Sequence, residues 1–270
     1  MIARTLKSGS RTSNRGGRAT HAPRKRFGQH FLHDPGILAR LVGAIAASPE
    51  DAIVEIGPGE GILTRALLVH VRHLTAIEID RDLAARLSAE FPADRLTVFC
   101  ADALEFDIGE LPRGLRVVGN LPYNISTPLL FRFARFSDRL RDLHFMLQLE
   151  VVERMVARPS TREYGRLSVM LQTRFRMQKL FRVPRGAFRP PPKVESAVVR
   201  MSPLQERMAC DERRFEDIVR RAFSARRKTL RNALPLLPDD YAALGIDPRL
   251  RPENLSPDEF IRITQRVSAR

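Results

Sequence analysis

Between residues 53 and 150 short apolar runs alternate with longer stretches of helical period. Residues 52–56, 74–78, 95–102 and 115–119 are each of strand length and bounded by turn-forming or charged residues. The stretch 62–70 reads as a helix, and Phe145-Met146-Leu147 reads as a fifth strand. Strands that alternate with helices predict an α/β fold on a parallel, doubly wound sheet. Residues 180–183 and 197–201 read as two more strands, joined by a connection holding Phe188 and Pro190-Pro191-Pro192. After Pro203 the period becomes helical, with Phe215, Ile218, Val219, Ala222 and Phe223 on one apolar stripe. Arg213, Arg220 and Arg227 are seven apart, as are Arg214, Arg221 and Lys228, so each set shares a face if that helix persists. Ser256-Pro257-Asp258-Glu259 predicts a further helix start, with Ser as N-cap, Pro at N1 and Glu at N3. The expected division is a large domain over 23–203 and a small helical domain over 204–270. Residues 1–22 mix Arg, Ser, Thr and Gly without hydrophobic period, and are expected to be a disordered basic tail. An organellar transit peptide is the alternative reading of that tail.

The polar residues that break this pattern gather at strand ends. The first strand runs into Gly57-Pro58-Gly59-Glu60-Gly61, where alternate glycines let the backbone approach a ligand closely. The dinucleotide pattern G-x-G-x-x-G fails because Ile62 stands at its third glycine, and no Gly-Lys-Ser/Thr is present for a phosphate loop. The second strand ends in Glu78, about 20 residues after the glycines, where a ribose hydroxyl is usually held. The third ends in Asp102, which can accept from an adenine amine. The fourth runs into Asn120-Leu121-Pro122-Tyr123. An amide oxygen and a neighbouring backbone carbonyl can accept the two N–H bonds of an exocyclic amine and aim its lone pair at an electrophile. Tyr123 offers a face for a base to stack on, and Pro122 stiffens the turn. Singly, each of these is an ordinary turn or a solvated acid. Four at successive strand ends form a ligand site, because open α/β sheets bind ligands beyond those ends.

The glycine loop, E-x-G-x-G-x-G from Glu55 to Gly61, resembles that of S-adenosylmethionine-dependent methyltransferases. With Gln29-His30-Phe31-Leu32, Tyr164-Gly165-Arg166-Leu167, Phe188-Arg189-Pro190-Pro191-Pro192 and Arg226-Arg227-Lys228-Thr229, the chain resembles one family over roughly 23–265. It is the small-subunit ribosomal RNA adenine N6,N6-dimethyltransferases (KsgA/RsmA), relatives of the Erm methyltransferases. The resemblance implies a Rossmann-like methyltransferase sheet with a small C-terminal helical domain. It implies transfer from S-adenosylmethionine to N6 of two adjacent adenosines near the 3′ end of 16S rRNA, two methyls each, in a small-subunit precursor. It implies a donor site of His30, Leu32, Gly57, Glu78, Asp102 and Asn120. It also implies an adenine site of Asn120, Leu121, Tyr123 and Phe188, with Tyr123 and Phe188 on opposite faces of the base. His30 stands where many members have Asn. Leu121 stands where DNA adenine methyltransferases usually have Pro, which argues against a DNA substrate. Two rivals stay open: an Erm-type enzyme acting on large-subunit rRNA, and a non-catalytic assembly factor that keeps the fold.

Composition narrows the partners. Hydrophobic residues make up 43%, and no apolar run approaches the ~18 residues of a membrane span. The N-terminus lacks the apolar core of a signal peptide. Cys100 and Cys210 are the only cysteines and fit no metal-ligand spacing, so no metal and reduced thiols in a cytoplasm are expected; a monomer is the expected state. The net charge is +15, of which residues 1–33 supply +8 and residues 213–231 supply +6, leaving +1 for the rest. Two basic patches on a nearly neutral body point to a polyanion bound in a salt-sensitive way. Arg220, Arg221, Arg227 and Lys228 are the candidate RNA contacts, against the alternative of a solvated helix face.

Overall fold

A computed structural model describes residues 29–206, 208–234 and 236–269. The tail expected over 1–22 lies outside the described residues. A short strand β1 (Phe31–Leu32) and helix α1 (Pro35–Ile45) lead into β2 (Ile53–Ile56), α2 (Ile62–Leu67), β3 (Leu74–Glu78), α3 (Arg81–Glu90) and β4 (Leu96–Cys100). The chain then returns to the sheet centre as β5 (Leu115–Asn120), α4 (Ser126–Arg135), β6 (Leu140–Gln148), α5 (Leu149–Met155) and α6 (Arg166–Gln172). Strands β7 (Phe175–Val183), β8 (Phe188–Arg189) and β9 (Ser196–Pro203) follow. Helices α7 (Glu212–Ser224), α8 (Leu230–Ala233), α9 (Pro238–Leu244) and α10 (Pro257–Ser268) close the chain.

The seven-stranded sheet has the order β4-β3-β2-β5-β6-β9-β7. Its first five strands are parallel, and β9 pairs antiparallel with both β6 and β7. Every residue of β2 is buried, as expected of a parallel strand covered on both faces. One core, with Val54, Ile56, Phe133 and Phe145, lies under α4 and α5; the other, with Ile53, Leu41, Leu67 and Val118, lies under α1 and α2. The strand order reverses between β2 and β5, which opens a crevice beyond their carboxyl ends.

Several sequence boundaries shift. The helix read over 62–70 ends at Leu67, β4 ends at Cys100 two residues before Asp102, and β7 starts at Phe175. The pair of β1 with β8, Leu32 opposite Phe188, had no sequence signal, since two-residue strands carry no period. The C-terminal helices share a core with earlier residues: Tyr164, Val169 and Met170 pack with Phe215, Val219 and Phe260, across the boundary expected at 203. Phe215, Ile218, Val219 and Ala222 of the α7 stripe are buried as the spacing requires, and the half-buried Phe223 meets Tyr164 edge-on and lies tilted against the Phe260 ring. However, α7 ends at Ser224. Arg227 and Lys228 therefore leave the helix, and the seven-residue spacing does not put them on a face with Arg220 and Arg221. The capping box at Ser256 is present, with Ser256 Oγ accepting from the Glu259 N–H and the Glu259 carboxylate from the Ser256 N–H.

Candidate active site

The crevice beyond β2 and β5 is a cleft of about 310 Å³. Gly57, Gly59 and Gly61 all have positive φ, so the loop turns in a conformation closed to most side chains. A Cβ on Gly59 would sit 2.9 Å from the Phe31 ring, which packs the N-terminal segment onto the loop. The Gly59 N–H donates to Glu78 Oε2 at 3.0 Å, and the Asp80 N–H to Oε1 at 2.9 Å. These bonds orient a carboxylate that is only 4% exposed, yet burial outweighs them and raises its pKa. Asp102 lies in the turn after β4, fixed by the Leu104 N–H to its Oδ1 at 2.8 Å.

Across the cleft, Asn120 ends β5. Its Nδ2 donates to the His30 carbonyl at 2.8 Å, which leaves the amide oxygen as the acceptor on the cleft side. The His30 ring lies 5.6 Å from the Tyr123 ring at 30°, and its Nδ1 is 2.7 Å from the Pro190 carbonyl. Tyr123 is held by a 2.7 Å hydrogen bond between its hydroxyl and Ser196 Oγ, and burial raises its pKa. Leu121 is buried, and its N–H donates to the Met146 carbonyl at 3.2 Å.

Of the residues expected to hold a donor, His30, Leu32, Gly57, Glu78, Asp102 and Asn120 all line this one cleft, with Leu121 and Tyr123. Phe188 does not. Its side chain is 1% exposed and packs in the α1-side core, paired through β8 with Leu32. The ring that faces Tyr123 here is His30, so a base held between Tyr123 and Phe188 requires a rearrangement of the β1–β8 pair. Of the basic candidates, Arg220 and Arg221 both pair with Asp217, while Arg227 and Lys228 have no acid partner among the described residues.

Three contributors carried little or no sequence signal. Glu55 lines the cleft floor at 2% exposure, accepting from the Thr64 hydroxyl at 2.7 Å. Burial, reinforced by the nearby Glu78 charge and opposed by that hydroxyl, lifts its carboxyl to about 7. Its position opening the glycine motif was the available signal. Phe31 stands out only through the family resemblance of the segment that holds it. Ser196 had no signal, because its partner Tyr123 is 73 residues away.

The chain matches the family model described as ribosomal RNA adenine dimethylase over residues 20–268. It is 59% identical to ribosomal RNA small subunit methyltransferase A of Nitrosospira multiformis, covering 90% of this chain and 96% of that protein. The counterpart from Chromobacterium violaceum is 55% identical, covering 92% and 96%. Among solved structures, a dimethyladenosine transferase from Plasmodium falciparum superposes with a TM-score of 0.78 at 26% identity, covering 89% of this chain and 98% of that one. The 23S rRNA methyltransferase ErmE superposes at 0.68 and 26% identity, covering 88% and 99%. The architecture is thus the expected Rossmann-like methyltransferase sheet with added C-terminal helices, and the chain belongs to the ribosomal RNA adenine dimethylase family.

Proposed function

We propose that this protein transfers methyl groups from S-adenosylmethionine to N6 of two adjacent adenosines near the 3′ end of 16S rRNA, two to each. The substrate is a small-subunit precursor in the cytoplasm, and the protein acts as a monomer. The single observation behind this reading is the Asn120 amide, whose nitrogen is committed to His30 and whose oxygen is left to accept from an exocyclic amine. The relatives named for small-subunit RNA favour that substrate over the large-subunit RNA of ErmE.

The cleft suits the donor. Its volume fits a small ligand, its glycines bring backbone close, and Glu78 presents a fixed carboxylate at the end of β3. Gly57, Glu78 and Asp102 would hold its nucleoside, and His30, Leu32 and Asn120 the remainder. The donor supplies an electrophilic methyl. The protein supplies orientation: Asn120 fixes the amine, Tyr123 presents its ring to the unstacked base, and Phe31 shields the glycine loop from water. After one methylation a single N–H remains, so the second turnover proceeds with one hydrogen bond fewer.

The test is primer extension on unmodified 16S rRNA and on small-subunit particles treated with protein and donor, since a dimethylated N6 blocks normal pairing. Stops at two adjacent adenosines near the 3′ end are expected; stops confined to large-subunit RNA, or none, overturn the proposal. Calorimetry adds a check on the donor. Glu78→Ala should weaken S-adenosylmethionine binding by ~1.5–3 kcal/mol, the value of a charge-assisted hydrogen bond, in a protein that stays folded.

A further inference from the structure

The body of the chain that is nearly neutral in sum is not neutral in space. Residues 174–200, which form β7, β8, most of β9 and their connections, hold eight Lys/Arg against the single acid Glu195. Their balancing acids lie elsewhere in the chain, so a sum over the whole body hides them. β7 is the outermost strand of the large sheet, and the connection from β7 to β9 carries β8, which pairs with β1 beside the cleft.

Folding leaves much of that charge uncompensated. Arg174 pairs with Glu212, while Lys179 and Arg182 share Glu153. Arg185, Arg189 and Lys193 are exposed and have no acid partner among the described residues. The connection that carries them is braced against the cleft wall. The His33 N–H donates to the Ala187 carbonyl at 2.9 Å, Leu32 pairs with Phe188, and the Pro190 carbonyl meets His30 Nδ1. The Arg185 guanidinium reaches the Lys193 carbonyl at 3.3 Å and ties the two ends of the connection together. In the α7 cluster Arg220 and Arg221 share Asp217 and Arg226 is taken by Glu253, while Arg227 and Lys228 likewise have no acid partner among the described residues; the β7–β9 connection is set apart by its place against the cleft wall.

We propose that Arg185, Arg189 and Lys193 form a phosphate-binding rim for the RNA backbone immediately flanking the target adenosine. The 213–231 cluster then grips RNA farther from the target. The inference rests on the rRNA adenine reading of the cleft. Its physical basis is that a base drawn out of its stack leaves its neighbouring phosphates at the cleft mouth. Like-charged side chains fixed there repel one another in the free protein and gain most from a polyanion. A braced loop also loses little entropy on binding.

The test compares wild type with two variants, R185Q/R189Q/K193Q and R220Q/R221Q/R227Q/K228Q. Equilibrium binding is measured across salt concentrations on whole 16S rRNA and on a short hairpin carrying only the target adenosines. The rim variant should bind both RNAs at least tenfold more weakly and flatten the salt slope by ~0.7–0.9 for each phosphate no longer neutralised. The α7 variant should lose affinity for the whole rRNA alone. A charge-keeping R185K/R189K/K193R variant should restore the slope, which separates charge from any change in folding. Donor affinity should match wild type in all variants. A rim variant with the wild-type slope on the hairpin overturns the proposal, as does wild type that does not bind the hairpin. Absence of methyl transfer by wild type would instead count against the function proposed above, because the binding slopes are read without turnover.

Discussion

At the residue scale, the cleft depends on polar groups that are placed by bonds to partners distant in sequence. The Tyr123 hydroxyl is already engaged with Ser196, so its ring is what remains to meet a base. Tyr123→Phe should therefore keep most activity, whereas Tyr123→Ala should lose base stacking, ~1–3 kcal/mol or about five- to 150-fold in KM. Steady-state kinetics on both variants decides this, and equal loss in the two would assign the role to the hydroxyl. Glu55 makes a second prediction. Its carboxyl is raised in the fold, so its contribution to stability is fully present below the ordinary value of 4.5 and is lost as pH rises through about 7. A shift of that size corresponds to about 3 kcal/mol between pH 4 and pH 8. Glu55→Gln can still accept from Thr64 but does not ionise. Denaturant titrations should show it gaining stability over wild type at pH 8 and little at pH 4; a gap independent of pH would mean that Glu55 is not the titrating group.

At the scale of elements, the site is made by two strands that end side by side. Gly119 is the point of closest approach, since a Cβ there would lie 2.5 Å from the Ile56 carbonyl oxygen. Its backbone is not in the left-handed region; the requirement is space. Gly119→Ala must push β5 away from β2 just before Asn120 on one strand and Gly57 on the other. Overpacking of this kind costs ~1–3 kcal/mol. Turnover should fall more than the thermal midpoint suggests, because the amide and the glycine loop lose their register. Wild-type turnover in the alanine variant would show that the strands can yield without disturbing the cleft.

At the scale of the molecule, one buried cation joins sheet, loop and helix at the end opposite the cleft. The Arg116 guanidinium donates to Asp142 at 3.0 and 2.9 Å, to Asp51 at 2.7 Å, and to the Ile45 and Ala46 carbonyls at the end of α1. Burial raises the Asp142 carboxyl, but His144 and Arg116 outweigh it and hold it at about 2. Its contribution to stability is therefore present above the ordinary value of 3.8 and lost as pH falls toward 2. Arg116→Leu strands the buried Asp142 and leaves Asp51 to Arg141 alone, and should cost ~3–5 kcal/mol near neutral pH. The gap should narrow in acid, where the unpaired Asp142 carboxyl takes up a proton. Donor affinity of the folded fraction should be retained, because Arg116 lies at the far end of β5 from Asn120. Denaturant titrations at pH 7 and pH 4, with calorimetry, check all three statements.

What was legible in the sequence was what short-range chemistry decides. The buried strands β2, β3 and β5 declared themselves by apolar runs, the α7 stripe by its period, and Ser256 by its capping box. Glu78, Asp102 and Asn120 stood out because strand ends in a parallel sheet converge, so order along the chain already implied proximity in space. What only the tertiary structure decided depends on partners that are remote in sequence. The two-residue pair of β1 with β8 buries Phe188 and leaves His30 facing Tyr123. Arg220 and Arg221 share the single carboxylate of Asp217, while Arg185, Arg189 and Lys193 are left without an acid among the described residues. A carboxylate's ionisation, a ring's exposure and a cation's compensation are each fixed by what packs within a few ångströms, and no pattern of spacing along the chain contains that information.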